Sequence, residues 1–332
     1  MPEGLLELSI QLTFWLQGLG SWLAPVMQFF TFLGNEEFFL FFLPVVAWAI
    51  DYRLGFRIGV MLMLTAGIND LAKMSFRQPR PYWVDPEVAG FSEPAGGYGL
   101  PSGHAQFSLA IFGLLAYEFK KRWLTILVIF TVFMVGLSRI YRGEHFLTDV
   151  LAGWVFSGII LFAFAKLAGP VEGWFSRLGF GAKVGAVFAF SLAFILLMAL
   201  VISIPADYQV PSEWVANAAE AYPEEPLEPL KLSSPITSAA ALFGISLGYF
   251  WTQRRGGFKA RKGTWWQRVL RFLVGLVGVA VFWMGLDLIF PGNEDLLSWT
   301  LRYVRYALTG LWISGLAPLA FIKLGLGEKE TQ

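Results

Sequence analysis

The sequence has no cysteine and only 2 histidines among 332 residues. The absence of cysteine excludes disulfides, thiol nucleophiles, iron–sulfur ligation and thiolate zinc sites. Charged residues are also scarce, at 15% of the chain, against roughly a quarter in an average soluble domain. The formal net charge is only +1, which leaves no field that would hold a polyanion, so no nucleic-acid partner is expected.

Apolar residues take the place of the missing charge. Hydrophobic residues make up 56% of the chain and aromatic residues 17%, and the mean hydropathy is +0.58. This composition predicts an all-α, polytopic, integral membrane protein. The chain begins with acidic residues where a secretory signal would be basic, so no cleaved signal peptide is expected and the spans themselves should direct insertion.

Apolar stretches define about ten candidate spans, since crossing a hydrocarbon core of ~30 Å takes about 17 to 25 helical residues. Polar residues such as Gln17 and Gln28 interrupt the first stretch, so it either crosses the bilayer or lies on its surface. The predicted spans are residues 9–33, 37–50, 55–75, 103–118, 123–139, 146–168, 183–204, 236–252, 267–290 and 299–322.

Lys and Arg are concentrated in every second loop, and the positive-inside rule places such loops in the cytoplasm. The densest of them is the basic loop 253–271, whereas loop 205–235 is acidic, rich in proline and expected on the external side. Gly and Pro near 169–182 indicate a boundary. The predicted domains are a membrane core over 1–168, a cytoplasmic linker over 169–182 and a C-terminal transmembrane extension over 183–332.

His104 ends the tetrapeptide Pro101-Ser102-Gly103-His104 and opens the predicted span 103–118. It therefore lies at a helix N-terminus, where the unpaired N–H groups of Gly103 and His104 and the helix dipole favour an anion. Ser102 is placed to cap that helix or to act as a further donor.

His145 precedes Asp149 by four residues, which places the two side chains on one face of a helix. A carboxylate that accepts the Nδ1 proton leaves the Nε2 lone pair outward, the form required of a nucleophile or base. The spacing alone favours an ordinary helix-capping contact over catalysis, so the context has to decide between them.

That context is the topology of the predicted spans. If each helix crosses once, four successive spans bring their charged ends to the membrane face opposite the basic loops. Arg binds phosphate oxygens bidentately, Lys adds a point charge, and a helix dipole favours the anion, so this face is predicted to hold a phosphate site. The residues placed there are Lys73, Arg80, Ser102, His104, Arg139, His145 and Asp149.

The same residues carry a resemblance to a known family. Their order and spacing resemble the three-part signature of the type 2 phosphatidic-acid phosphatase superfamily: Lys73 with Arg80-Pro81, then Pro101-Ser102-Gly103-His104, then Ser138-Arg139 with His145 and Asp149. The resemblance covers about residues 36–168. It implies a six-helix phosphatase core, followed here by about four further helices, and a hydrolase that needs no metal or cofactor and works through a phosphohistidine.

The resemblance also implies a role for each residue. His145 would attack phosphorus with Asp149 orienting it, and His104 would protonate the leaving oxygen and then activate water. The residues expected to hold the phosphoryl oxygens are Lys73, Arg80, Ser102, Gly103 and Arg139. Asp70, one helical turn from Lys73, either orients that lysine, which is the favoured interpretation, or neutralises it at the membrane interface. Ser138 is a further candidate for a supporting role around the site.

Several neighbouring residues have open interpretations. Arg142 and Glu144 flank the proposed nucleophile and could contact substrate, but a solvated pair in a loop is the favoured interpretation. Tyr82, Trp83 and Tyr141 either wall the pocket or anchor the chain at the membrane interface.

The short fourth and fifth predicted spans place the site at the outer membrane boundary, on the extracytoplasmic or lumenal side. A phosphate whose tail stays in the bilayer suits that position, so a lipid phosphate or diphosphate, including a polyprenyl diphosphate, is the expected substrate. Gly34-Asn35-Glu36-Glu37 and Asn69-Asp70 look more loosely like the sphingosine-phosphate phosphatase branch.

Two alternatives remain open. Arg80-Pro81-Tyr82-Trp83 is similar to a glucose-6-phosphatase segment, which suggests a soluble sugar phosphate. From another class, the chain would be a lipid transporter or flippase with a degenerate core, although the complete set of catalytic residue types argues against degeneracy. The C-terminal helices are expected to provide a lateral wall for the lipid tail or a surface for a homo-oligomer.

The absence of cysteine allows the loop assignment to be tested with single introduced thiols. Glu228→Cys lies in the acidic loop, so a membrane-impermeant maleimide should label it in intact cells. Lys262→Cys lies in the basic loop, so labelling should require permeabilised cells. The cysteine-free parent is the control, and labelling in the opposite order would overturn the assignment.

Overall fold

A computed structural model describes residues 3–91, 97–224 and 227–330 of the chain. Those residues form helices, turns and loops and contain no β-strand. The predicted fold class, an all-α polytopic membrane protein, is confirmed.

Fourteen α-helices are present in the described residues, and turns of π-helix extend α3, α12 and α13 at their C-terminal ends. In chain order the helices are α1 Glu3–Gln17, α2 Ala24–Leu33, α3 Glu36–Val45, α4 Tyr52–Phe76, α5 Pro81–Val84, α6 Gly103–Phe119, α7 Arg122–Tyr141, α8 Leu147–Ser176, α9 Phe180–Ile202, α10 Ser212–Ala221, α11 Ser233–Arg254, α12 Trp265–Ala280, α13 Leu296–Leu311 and α14 Ala317–Lys323.

By length and apolarity, 6 helical segments of the described chain can cross a membrane, or up to 7 if a pair bent by 51° counts as one span. The six are Tyr52–Val84, Arg122–Tyr141, Leu147–Arg177, Phe180–Ile202, Trp265–Gly285 and Leu296–Lys323, and the bent pair is Ser21–Leu33 with Phe38–Ile50. About ten spans were expected, so the count is lower.

Two of the expected spans form helices that are not among these six segments. Helix α6 has 17 residues, a length of about 26 Å at 1.5 Å per residue, which is at the lower limit for crossing a hydrocarbon core. Helix α11 is long enough, but Ser, Thr and Gly lower its hydropathy and several of these residues are buried against protein.

Two further segments differ from the expectation. The stretch 9–33 is not one helix, because α1 ends at Gln17 and Gly20 adopts a positive φ of 107° before the chain turns into α2. The stretch 169–182, expected as a linker, is helical up to Ser176 and turns only briefly before α9 begins at Phe180.

The chain forms two compact units, and each unit draws on three stretches of sequence. The first unit comprises Met1–Phe38, Ile68–Phe164 and Leu200–Lys231, and the second comprises Phe39–Gly67, Ala165–Ala199 and Leu232–Gln332. Every residue predicted to bind or process phosphate belongs to the first unit.

The core of the first unit brings α6, α7 and α8 together through glycines. A Cβ placed on Gly136 of α7 would lie 2.5 Å from the Trp154 ring of α8. A Cβ on Gly153 of α8 would lie 2.8 Å from the Ser102 carbonyl oxygen. Neither distance allows a side chain, so the glycines permit the contact that holds the start of α6 against α8.

The second unit packs α11 against α13 at very short range. A Cβ on Gly244 would lie 2.1 Å from the Ala307 carbonyl oxygen, and one on Gly248 would lie 2.4 Å from the Ser314 hydroxyl oxygen. Small residues at this spacing let two helix backbones approach closely, as is common between helices in membranes.

This close approach predicts a large difference between two Gly→Ala variants. Gly244→Ala should lower the thermal midpoint in detergent by several degrees, because the new methyl group meets backbone and the helices must separate. Gly185→Ala in α9 is the matched control, because no atom lies within 4 Å of its Cβ position. Equal midpoints for the two variants would contradict the described packing.

Candidate active site

The structure places the predicted phosphate-site residues at the ends of helices within the first unit. They are Lys73 in the last turn of α4, Arg80 capping α5, Ser102 capping α6, Gly103 and His104 in the first turn of α6, Arg139 in the last turn of α7, His145 in the connection to α8, and Asp149 in the first turn of α8.

His145 and Asp149 form a buried pair. His145 Nδ1 lies 3.3 Å from Asp149 Oδ2, and both side chains are 2% exposed. The same carboxylate oxygen accepts the Phe146 N–H at 2.9 Å, which holds the carboxylate in place. A carboxylate accepts only, so we assign the proton to Nδ1 and the lone pair to Nε2.

The Nε2 atom of His145 faces positive charge. It lies 3.4 Å from Nη1 of Arg80. Burial, together with the charges of Arg80, Arg139 and Lys73, lowers the pKa of His145 well below its ordinary value. The imidazole is therefore neutral near pH 7, and its outward nitrogen directs its lone pair toward the Arg80 guanidinium.

Backbone carbonyls hold the guanidinium of Arg80. Its Nε donates to the Gly97 oxygen at 2.7 Å and its Nη1 donates to the Glu144 oxygen at 3.1 Å. A Cβ on Gly97 would lie 4.0 Å from Nζ of Lys73, so the two cations of the first motif meet beside this residue. Asp70, one turn before Lys73, interacts electrostatically with that lysine.

The loop before α6 is fixed on both sides. The Ser102 N–H donates to the Asp149 carbonyl at 2.9 Å. The Asn69 amide donates to the Pro101 oxygen at 3.2 Å and to Gln106 Oε1 at 2.7 Å. The Ser102 hydroxyl is buried and has no hydrogen-bond partner among the described residues. A buried donor at a helix N-terminus is suited to an anionic oxygen.

The interpretation of Arg142 and Glu144 as a solvated pair is wrong. Glu144 is 3% exposed and Arg142 8% exposed. One Glu144 oxygen accepts from Arg142 Nε at 2.8 Å, and the other pairs with Nη2 of Arg139. The buried Glu144 carboxylate therefore bridges Arg139, which is predicted to bind phosphate, and Arg142.

Tyr82, Trp83 and Tyr141 all lie inside the first unit at 2% exposure or less. The Tyr82 and Trp83 rings pack against aromatic rings of the segment that contains α10, and the Tyr141 ring belongs to the apolar core. Their burial argues against the interpretation as interfacial anchors, whereas the interpretation as walls of the pocket stays a prediction.

The N-terminal residues 28–35 also contribute contacts that sequence reasoning missed. Asn35 Oδ1 lies 2.6 Å from His104 Nε2. Thr31 Oγ1 accepts from Arg139 Nη1 at 3.4 Å and donates to Ser138 Oγ at 3.0 Å. Gln28 accepts from Arg142. The available signal was the recurrence of polar residues at helical spacing in an apolar stretch.

Among the described residues, no group of three or more His, Asp or Glu side chains could hold a metal ion. The charged groups of the site are mainly cations, a composition suited to an anion.

The fold and this site define a class: an integral membrane protein of α-helices with a buried cluster of arginines, a lysine and two histidines. The chain matches the PAP2 superfamily over residues 54–171. It also matches the PAP2 superfamily phosphatase, transmembrane extension, over residues 236–329. The chain belongs to the PAP2 superfamily, which confirms the resemblance stated above.

Similar proteins are phosphatases by name. Sphingosine-1-phosphate phosphatase 2 of Mus musculus is 32% identical over 143 residues, covering 41% of this chain and 40% of that protein. Undecaprenyl-diphosphatase of Sulfolobus acidocaldarius is 30% identical over 158 residues, covering 45% and 74%. Glucose-6-phosphatase 3 of Homo sapiens is 29% identical over 169 residues, covering 44% and 49%. The match thus spans less than half of the sphingosine-1-phosphate phosphatase. No solved structure matches the chain.

The buried carboxylate predicts a marked effect of Glu144→Ala on stability. Removing one partner of a buried ion pair costs about 3–5 kcal/mol, because the remaining charges lose their compensation. The thermal midpoint in detergent should therefore fall clearly for Glu144→Ala. Glu144→Gln should give a midpoint between those of the wild type and Glu144→Ala.

Glu172→Ala is the matched control for this prediction. Its pair with Arg53 is largely exposed, at 40% and 64% of the side chains, and such a pair contributes at most about 1 kcal/mol. Equal midpoints for Glu144→Ala and Glu172→Ala would show that the buried bridge does not stabilise the fold.

Proposed function

We propose that this protein is a metal-independent phosphatase that hydrolyses a lipid phosphate or lipid diphosphate through a phosphohistidine. The observation that carries the proposal is the state of His145. Its Nδ1 is paired with Asp149 at 3.3 Å, and its Nε2 faces the guanidinium of Arg80 at 3.4 Å. A neutral, oriented imidazole among cations is suited to attack a phosphoryl group.

In the first step, Nε2 of His145 attacks phosphorus and the bond from phosphorus to the leaving oxygen breaks. His104 donates a proton to that oxygen, so the product leaves as an alcohol or, from a diphosphate, as a monophosphate. Asp149 stabilises the positive charge that develops on the His145 ring. The phosphoryl oxygens lie against Lys73, Arg80, Arg139 and the Ser102 and Gly103 donors.

In the second step, water replaces His145 on phosphorus. His104 now accepts a proton from the attacking water, the bond between Nε2 and phosphorus breaks, and inorganic phosphate leaves. The same cations stabilise the charge on the equatorial oxygens in both transition states. The roles of His104 and the oxygen-binding residues come from the match to the family pattern.

A lipid substrate is supported by two observations. The site residues lie at helix ends in a membrane protein, whose apolar helices are long enough to cross a bilayer. Sphingosine-1-phosphate phosphatase 2 and undecaprenyl-diphosphatase, which match the chain, are named for lipid substrates. The alternation of basic loops supports a site on the extracytoplasmic or lumenal side.

A soluble sugar phosphate is the second candidate, because glucose-6-phosphatase 3 also matches the chain. The two candidates differ in whether the phosphate carries a tail that stays in the bilayer, so they can be separated by substrate.

The first experiment measures inorganic phosphate release by the full chain in detergent with EDTA present. The panel is phosphatidic acid, sphingosine phosphate, phosphatidylglycerol phosphate, polyprenyl diphosphate and glucose 6-phosphate. Release from a lipid is expected, because no step requires a metal. Turnover of glucose 6-phosphate alone would assign a soluble substrate, and no release from any of them would favour a transporter.

His145→Ala should reduce release to background while the protein remains folded, because no other group can form the intermediate. Glu87→Ala, an exposed change in the same unit, is the control and should leave release unchanged. His104→Ala should accumulate an acid-labile phosphoprotein with an aryl phosphate, whose leaving group needs no proton. Persistent activity in His145→Ala would refute the assigned nucleophile.

A further inference from the structure

Three polar residues face the site from the N-terminal segment. Gln28 and Thr31 lie in α2, and Asn35 follows its C-terminal Gly34. Gln28 and Thr31 are three residues apart, which places their side chains on one side of α2. Each of the three contacts a different charged or titratable residue of the site, and all belong to the first unit.

The close fit of Gly34 brings this segment to the site. A Cβ on Gly34 would lie 2.9 Å from Val135 Cγ1 and 3.1 Å from His104 Cβ. No larger residue fits without displacement, so glycine lets the backbone pass directly over His104. The next residue, Asn35, then places its carboxamide oxygen 2.6 Å from His104 Nε2.

The contact with Asn35 bears on the tautomer of His104. An amide oxygen accepts only, so it favours the ring that carries its proton on Nε2. With Nε2 engaged, Nδ1 is the nitrogen that carries the second proton of the imidazolium, gives it to the leaving oxygen and takes one back from the attacking water. A fixed tautomer and orientation is what a histidine acid or base requires.

The contact with Thr31 bears on Arg139. The Thr31 hydroxyl is 2% exposed and uses both of its functions, accepting from Arg139 Nη1 at 3.4 Å and donating to Ser138 at 3.0 Å. The guanidinium is also paired with Glu144, so its fork is held on two sides. The Arg139 side chain is therefore held in place before a phosphoryl oxygen binds, so binding costs less side-chain entropy.

We infer that the polar side of residues 28–35 is a positioning surface of the active site, in which Asn35 orients His104 and Thr31 orients Arg139. The inference rests on the proposed function, since it assigns positioning residues to that reaction. It assigns different consequences to the two residues, because His104 moves protons whereas Arg139 binds phosphoryl oxygens.

The test compares two isosteric variants of the full chain in detergent. Asn35→Leu should lower kcat roughly 10-fold, because a misoriented acid loses part of its contribution. Its affinity for orthovanadate should stay near the wild-type value. Thr31→Val should instead weaken orthovanadate binding and raise KM, each several-fold, because Arg139 is less well held.

Conservative variants and a control separate positioning from a general loss of structure. Asn35→Asp and Thr31→Ser keep the acceptor oxygen and should restore most of the affected parameter. Val26→Ala changes the exposed side of α2 and should leave kcat, KM and vanadate affinity unchanged.

Wild-type values of kcat, KM and vanadate affinity in both isosteric variants would overturn the inference and leave the proposed function intact. Equal loss of all parameters without rescue by Asp or Ser would also overturn it, because it would indicate misfolding. A wild-type chain that neither releases phosphate nor binds orthovanadate would overturn the proposed function, and this inference with it. Orthovanadate binding is measured by calorimetry, so the Thr31 comparison does not depend on turnover.

Discussion

Asp149 is the residue on which the geometry of the site depends. Its carboxylate accepts from His145 and from the Phe146 backbone, and its carbonyl oxygen accepts from the Ser102 backbone. The same carboxylate interacts electrostatically with Lys73 and Arg80. One residue thus joins all three motifs, which are separated by up to about 75 residues of chain. The interaction is effective because both partners of the His145–Asp149 pair are buried, where hydrogen bonds and charges are less screened.

This arrangement brings several positive charges close together in a buried site. Three cations lie close enough to act on His145, and burying cations without compensation is unfavourable. The Glu144 carboxylate compensates part of this positive charge, because it bridges Arg139 and Arg142. Backbone carbonyls at Gly97 and Glu144 hold Arg80. The cations are therefore fixed before any substrate arrives, so little reorganisation is needed when an anion binds.

Glycine permits much of this precision. Gly34, Gly136 and Gly153 each lie where a Cβ would meet a neighbouring residue within 3 Å. These contacts bring the N-terminal segment and helices α6, α7 and α8 close enough for short polar side chains such as Thr31 and Asn35 to reach the site. Larger residues would separate the backbones. The hydrogen bonds of these short side chains would then break before the apolar core was disrupted.

Composition, helix spacing and motif order were sufficient to predict the all-α membrane class, the PAP2 family and the group of residues that meets around His145. These features are local or follow from chain topology, since residues four apart share a helix face and alternating spans return to the same side. Fewer than ten helices are long and apolar enough to be assigned as spans, because α6 is short and α11 carries Ser, Thr and Gly that are buried against protein. The burial of Glu144 and Arg142 and the contacts of Asn35 and Thr31 emerged only in three dimensions. Each depends on which helix lies opposite and how closely two backbones approach, and a single sequence does not encode that distance in any local pattern.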